Sequence, residues 1–153
     1  MTQTSRALQF ALRAMYAGAA LSALSIPLTF AARGSIAEGI RATATTATQR
    51  GAVDDITTGT VGLMVTVAAV SVVLWLVLAR LNRRGRWWAR IVSTVLAGFA
   101  VLQTWSLVTR GHLPWYGIVV QLLIALTGVV AAGWLWHRSN AAHFERVAAL
   151  PQR

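Results

Sequence analysis

The sequence predicts an all-α fold, a four-transmembrane-helix antiparallel bundle forming a single membrane domain over residues 1–153. Three observations lead to it. Hydrophobic residues make up 56% of the chain and charged residues 12%, where a soluble domain carries about 25% charge. The apolar residues gather into four long runs, and crossing the hydrocarbon core takes about 20 residues in helical form. The runs lack the period of two that marks a strand, and in lipid a helix satisfies its own backbone polar groups.

The spans fall at about 10–32, 57–81, 87–109 and 114–137. The first has a helical lead-in and holds Pro27, which removes an amide donor and predicts a kink near its end. Its arginines, apolar run and small residues near Phe30–Ala31–Ala32 also permit a cleaved signal peptide, although the apolar run is long for one. An outer loop, 33–55, is rich in Ala and Thr and reads as a linker. Ile36 and Ile40, four apart, allow a short surface helix within it. Asp54 or Asp55 can cap the second span, because a carboxylate accepts bonds from the free N–H groups at a helix start. Gly85 sits in the turn between the second and third spans. Pro114 suits the first turn of the fourth. A cytoplasmic tail, 138–153, offers Asn140 as a cap and an apolar stripe of Phe144, Val147 and Leu150, ended by Pro151.

Orientation follows from the arginines. The net charge is +10 and all 14 basic residues are Arg. Arg6, Arg13, Arg80, Arg83, Arg84, Arg86, Arg90, Arg138, Arg146 and Arg153 fall on one side, and Arg33, Arg41, Arg50 and Arg110 on the other. This asymmetry predicts a multi-pass plasma-membrane protein with both termini in the cytoplasm. Trp75, Trp87, Trp88, Trp134 and Trp136 then lie at the inner boundary, and Trp105, Trp115 and Tyr116 at the outer one, where amphipathic rings anchor. Arginines at the ends of apolar runs follow this rule better than they make a nucleic-acid surface, so no nucleic-acid partner is expected.

Little in the chain carries chemistry. There is no cysteine, so disulfides, cysteine-ligated metals and thiol nucleophiles are excluded. The four acids, Glu38, Asp54, Asp55 and Glu145, all lie outside the spans, and His112, His137 and His143 do not converge. No enzyme, metal or cofactor is predicted. Arg13, the only intramembrane candidate for a functional ionisable residue, is close enough to the inner end to snorkel.

Two sets of residues remain as candidate sites. Gln103 is about six residues from the outer end of the third span and Gln121 about seven from the outer end of the fourth. At 1.5 Å per residue their depths agree within about 2 Å, so the amides could bond across adjacent helices. Ser22, Ser25, Thr60 and Thr66 share that outer half. Interhelical bonding is the plainer reading, and an outward-opening polar pocket the sharper one. The second set is the basic turn: Arg80, Arg83, Arg84, Arg86, Arg90, Trp87 and Trp88. Topology alone accounts for its charge, and guanidinium groups beside indoles also suit anionic lipid head groups of the inner leaflet or a protein partner. Small residues four apart, Ala14–Gly18–Ser22, Thr58–Gly62–Thr66 and Gly128–Ala132, let helices approach closely within the chain, with a partner or in a homo-oligomer.

The stretch Asn82-Arg-Arg-Gly-Arg-Trp-Trp-Ala-Arg-Ile-Val-Ser-Thr-Val-Leu96 resembles a segment of small uncharacterised four-helix membrane proteins of actinobacteria. Leu12-Arg-Ala-Met-Tyr-Ala-Gly-Ala-Ala20 resembles their first helix, and the arginine-only, Ala/Val/Gly/Trp-rich composition fits a GC-rich genome. The resemblance implies an architecture and carries over no activity. The chain is therefore expected to be a non-enzymatic accessory subunit, scaffold or lipid-associated factor. A small transporter, flippase-like protein or channel working as an oligomer is the alternative.

Overall fold

A computed structural model describes residues 6–110 and 114–137. Over these it is all-helical, with six helices: α1 Arg6–Ala31, α2 Arg33–Thr43, α3 Ala47–Gly51, α4 Val53–Arg83, α5 Trp87–Arg110 and α6 Trp115–Leu135. Three of them are long and apolar enough to cross a membrane: α1 from Leu8, α4 and α6. α5 is 24 residues long and carries a run free of charge from Ile91 to Val108. The tail helix expected beyond Asn140 lies outside the described residues.

Two helices replace the expected linker. α2 docks because Ile36 and Ile40 share a face. Ile36 is buried with Ala32 of the α1–α2 junction and Val61 of α4, and Ile40, Met64, Val65 and Tyr116 pack around them. Arg33 Nη2 also donates to Thr58 Oγ1 at 3.1 Å. The surface helix thus rests on protein. In α3 the Thr46 hydroxyl accepts from the Gln49 amide at 3.2 Å while Gln49 Oε1 accepts from the Thr46 amide at 3.1 Å, a reciprocal cap that satisfies two free donors.

Helix ends correct two expectations. Ala52, with no side-chain bond, is the N-cap of α4, so Asp54 and Asp55 sit inside its first turn. There they face the positive end of the helix dipole instead of capping. Pro114 is the N-cap of α6, one position before the first turn, and its carbonyl accepts from Gly117 and Ile118. At the α4–α5 turn Gly85 has φ 72°, a conformation that costs glycine little because it has no Cβ. The Gly85 amide bonds to the Asn82 carbonyl and the Arg86 amide to the Leu81 carbonyl. These two bonds satisfy carbonyls that the helix end leaves free. In α1, Pro27 is accommodated within the helix, and the Ser25 and Thr29 hydroxyls bond to the Ser22 and Ser25 carbonyls beside it.

The long helices pack in the order α4, α1, α6, α5, and α4 and α5 meet only slightly although a tight turn joins them. The starts of α1 and α5 and the ends of α4 and α6 share one end of the molecule, the end with the basic turn. There Leu8, Ala11, Leu12 and Met15 of α1 pack with Ala79 of α4 and Ala131 and Leu135 of α6.

Trp75 joins this core instead of lying at the boundary as an anchor. A Cβ built on Gly18 would lie 2.7 Å from Cε2 and 2.8 Å from Cζ2 of the indole. At Gly128 a Cβ would meet the Ala97 Cβ at 3.4 Å and Trp75 Cη2 at 3.6 Å. Gly18 therefore opens the space the indole fills, while a Cβ at Gly128 would meet the ring at ordinary contact distance. The row Thr58–Gly62–Thr66 faces the other way, and nothing lies within 4 Å of a Cβ at Gly62. The rest of the surface is apolar along the helices, as with Val95, Phe99, Leu102 and Trp105 of α5.

Gly18→Ala is predicted to destabilise the fold by about 1–3 kcal/mol, the usual cost of an overpacked core. Gly98→Ala, where a Cβ meets open space, should be neutral or stabilise by a few tenths to about 1 kcal/mol. Denaturation in detergent, followed by far-UV dichroism, compares the two. Equal losses would show that Trp75 does not need the Gly18 notch.

Candidate functional site

The outer polar set does not assemble into one network. Helix packing brings Ala97 opposite Gly128. Gln103 lies six residues beyond Ala97, and Gln121 seven residues before Gly128, so the two amides sit about 9 and about 10.5 Å from that contact. They are level and both half-buried, yet no hydrogen bond joins them among the described residues. Equal depth fixes height and leaves rotation about each helix axis free. The hydroxyls bond locally instead: Thr66 Oγ1 to the Gly62 carbonyl at 2.8 Å, Thr60 Oγ1 to Ile56 and Ser25 Oγ to Ser22. Such bonding to the preceding turn is the common resource of a hydroxyl inside a helix. Ser22 is the exception. It is 1% exposed and its Oγ has no hydrogen-bond partner among the described residues.

The buried interhelical polar contact lies at the other end. Asn82 is fully buried. Its Nδ2 donates to the Leu78 carbonyl and to Ser93 Oγ, each at 3.0 Å, and Ser93 Oγ donates to the Ala89 carbonyl at 2.8 Å. This ties the end of α4 to the start of α5. Sequence reading absorbed Asn82 into the basic turn. The only signal was an amide and a hydroxyl flanking a glycine turn.

The basic turn divides into parts with different surroundings. Arg83, Arg84 and Arg86 are exposed, as are Arg80, Trp87 and Trp88. Arg80, Arg83, Arg84 and Arg86 make no ion pair among the described residues, whose acids, Glu38, Asp54 and Asp55, lie toward the other end. Arg90 points elsewhere. Its guanidinium carbon lies 3.9 Å from the centroid of the Trp136 ring, and Trp136 Nε1 donates to Thr94 Oγ1 at 2.9 Å. A cation over an indole face is attracted by the ring quadrupole, so Arg90 joins α5 to the end of α6 and separates from the other arginines.

Two surface depressions lie at this end. One, of about 430 Å³, runs between α1 and α4 and is lined by Tyr16, Leu76, Val77, Arg80, Arg83 and Arg84. The other, of about 280 Å³, is lined by Val130, Gly133, Trp134 and His137. Beside it Phe10 of α1 stacks on Trp134 with centroids 5.3 Å apart. The Arg13 guanidinium lies 5.9 Å from the Phe10 centroid, reaching back toward the basic end in the direction snorkelling requires. Among the described residues no three metal-ligating side chains converge. His112, His143 and Glu145, and Arg138, Arg146 and Arg153, lie outside them.

Comparison with family models, with curated proteins and with solved structures finds no match.

Side-chain deletions should separate these groups. Asn82→Ala is predicted to cost about 1–3 kcal/mol by removing the bonds that join α4 to α5. Ser22→Ala removes a buried hydroxyl without a partner and should leave stability unchanged or raise it by up to about 1 kcal/mol. Gln103→Leu should stay within about 0.5 kcal/mol. Chemical denaturation in one detergent ranks the three, and a large loss for Gln103→Leu would mean that the outer amides are bonded after all.

Proposed function

We propose that this chain is a non-enzymatic plasma-membrane protein in which all four long helices cross the bilayer, with both termini in the cytoplasm. We assign it the role of a lipid-associated scaffold or accessory subunit that engages anionic head groups of the inner leaflet. The observation that carries this reading is the combination of an apolar outer surface with an arginine–tryptophan rim at one end whose exposed arginines have no carboxylate partner among the described residues. Apolar side chains facing outward cost free energy in water and none in lipid. Cations at the cytoplasmic boundary gain about 1 kcal/mol each near an anionic surface.

α5 supports a fourth crossing through its outward-facing Val95, Phe99, Leu102 and Trp105. These follow one another at three- and four-residue steps, so the helix presents an apolar stripe to its surroundings. An even number of crossings also agrees with the arginine bias, which puts ten of the 14 arginines on the side of both termini. The transporter reading has less support. Most hydroxyls of the outer half bond to their own helices, and the level amides do not join into a path.

The absence of cysteine makes topology directly testable with single introduced thiols. Thr48→Cys and Thr109→Cys should react with an impermeant maleimide added outside intact cells, and Arg86→Cys only after permeabilisation. Protection of Thr109→Cys would remove the fourth crossing, and outside labelling of Arg86→Cys would invert the orientation. For function, purification in native lipids is expected to recover phospholipid with a higher anionic fraction than the source membrane. Reconstituted protein that carries ions or solutes across liposomes would instead favour transport.

A further inference from the structure

We infer that the groove between α1 and α4 at the basic end binds one anionic phospholipid, its phosphate on Arg80, Arg83 and Arg84 and its acyl chain along Leu76, Val77 and the Tyr16 ring. This rests on the lipid-associated reading above and names its site. Positions 80, 83 and 84 are spaced i, i+3 and i+4, so the three side chains share one face of α4 with Cβ atoms about 5–6 Å apart. Leu76 and Val77 lie one turn before them on the same face. The wall of the groove therefore changes from apolar to cationic over a single turn, toward the end where the basic rim lies. A phospholipid has the same gradient from chain to head group.

Tyr16 closes the groove from α1. The contact of Gly18 with Trp75 sets the register of the antiparallel pair, and two residues back along α1 corresponds to two residues on along α4. Tyr16 is thus level with Val77. Its ring is half exposed, and its hydroxyl has no hydrogen-bond partner among the described residues. A phenol at this depth offers an apolar face to a chain and a donor to an ester or phosphate oxygen.

Charge decides the class of lipid. Like charges at i, i+3 and i+4 repel along a helix. The negative end of the α4 dipole offsets part of this, and no carboxylate among the described residues neutralises the rest. A phosphate diester without a compensating ammonium supplies the missing charge. A choline or ethanolamine head group would bring a further cation among three guanidinium groups. The volume of about 430 Å³ falls within the range of small-molecule sites, roughly 300–1,000 Å³. It accommodates the head group and the start of one chain, and the remaining chain lies on the apolar outer surface of α4.

The test uses the full chain in nanodiscs of equal parts phosphatidylglycerol and phosphatidylcholine, released into the gas phase for native mass spectrometry. One phosphatidylglycerol per protomer should be retained, in preference to phosphatidylcholine. Each arginine near an anionic surface contributes roughly a factor of five, so the triple change Arg80→Gln, Arg83→Gln, Arg84→Gln should reduce retention by about 100-fold. The triple change Arg33→Gln, Arg41→Gln, Arg50→Gln, with equal charge removed at the other end, should keep it. Val77→Trp fills the groove and leaves every charge in place, and should also abolish the bound lipid. Leu76→Trp does the same should Val77→Trp lose its helical dichroism. Soluble glycerol phosphate at millimolar concentration should not displace the lipid.

Retention that survives both tryptophan substitutions, or falls equally with the two triple changes, would overturn the groove while leaving general anionic-lipid association intact. Displacement by glycerol phosphate would overturn the requirement for a chain. No enrichment of phosphatidylglycerol in any form would remove the groove and the lipid-associated reading together.

Discussion

The indole of Trp75 lies where α1, α4 and α6 come together, and it fits there because Gly18 has no side chain. A Cβ at Gly18 of α1 would collide with the ring, whereas one at Gly128 of α6 would only touch it. Gly128 also faces Ala97 of α5, so the contact reaches all four long helices. In lipid, apolar burial gives helices no net drive to associate, and close dispersion contact takes its place. A large flat ring in a notch lined by glycine makes many such contacts at once. The core at the basic end is continuous with it: Leu8, Ala11, Leu12, Met15, Ala79, Ala131 and Leu135 fill the space between the same three helices.

That packing leaves α5 in a distinct position. It leans on α6 and barely touches α4, so its attachment to α4 falls to a few polar bonds at the turn. The Gly85 turn fixes the chain path, Asn82 and Ser93 bridge the two helices, and Arg90 and Trp136 secure the start of α5 to the end of α6. The polar residues with structural roles are therefore concentrated at the basic end. In the outer half most hydroxyls bond within their own helix and add little between helices.

This division bears on the basic turn. Its arginines are adjacent in sequence and do different things in the structure. Arg90 holds two helices together, while Arg80, Arg83 and Arg84 line an open groove with apolar residues one turn before them. A dense positive cluster thus combines a packing element with an open, cationic groove wall. The separation arises because Arg90 lies beyond the glycine turn, on a different helix facing α6.

Much of the architecture was legible because it depends on local properties. Long apolar runs specify helices, since a helix bonds its own backbone, and arginines bracket the runs wherever the chain leaves them. The turn glycine, Gly85, could be placed for the same reason, whereas the spacing of Ile36 and Ile40 only allowed α2 within a segment that read as a linker. The Thr46–Gln49 cap of α3 was also there to be read, and was obscured by the alternating Ala and Thr around it. The sequence could not choose the rotation of each helix about its own axis, because helices that are apolar on most sides carry little information about which face turns inward. That choice sent Trp75 into the core, turned the Gly62 row outward and kept Gln103 and Gln121 level without joining them. It was made by the fit of one indole to the notch at Gly18, a three-dimensional complementarity between segments far apart in the chain.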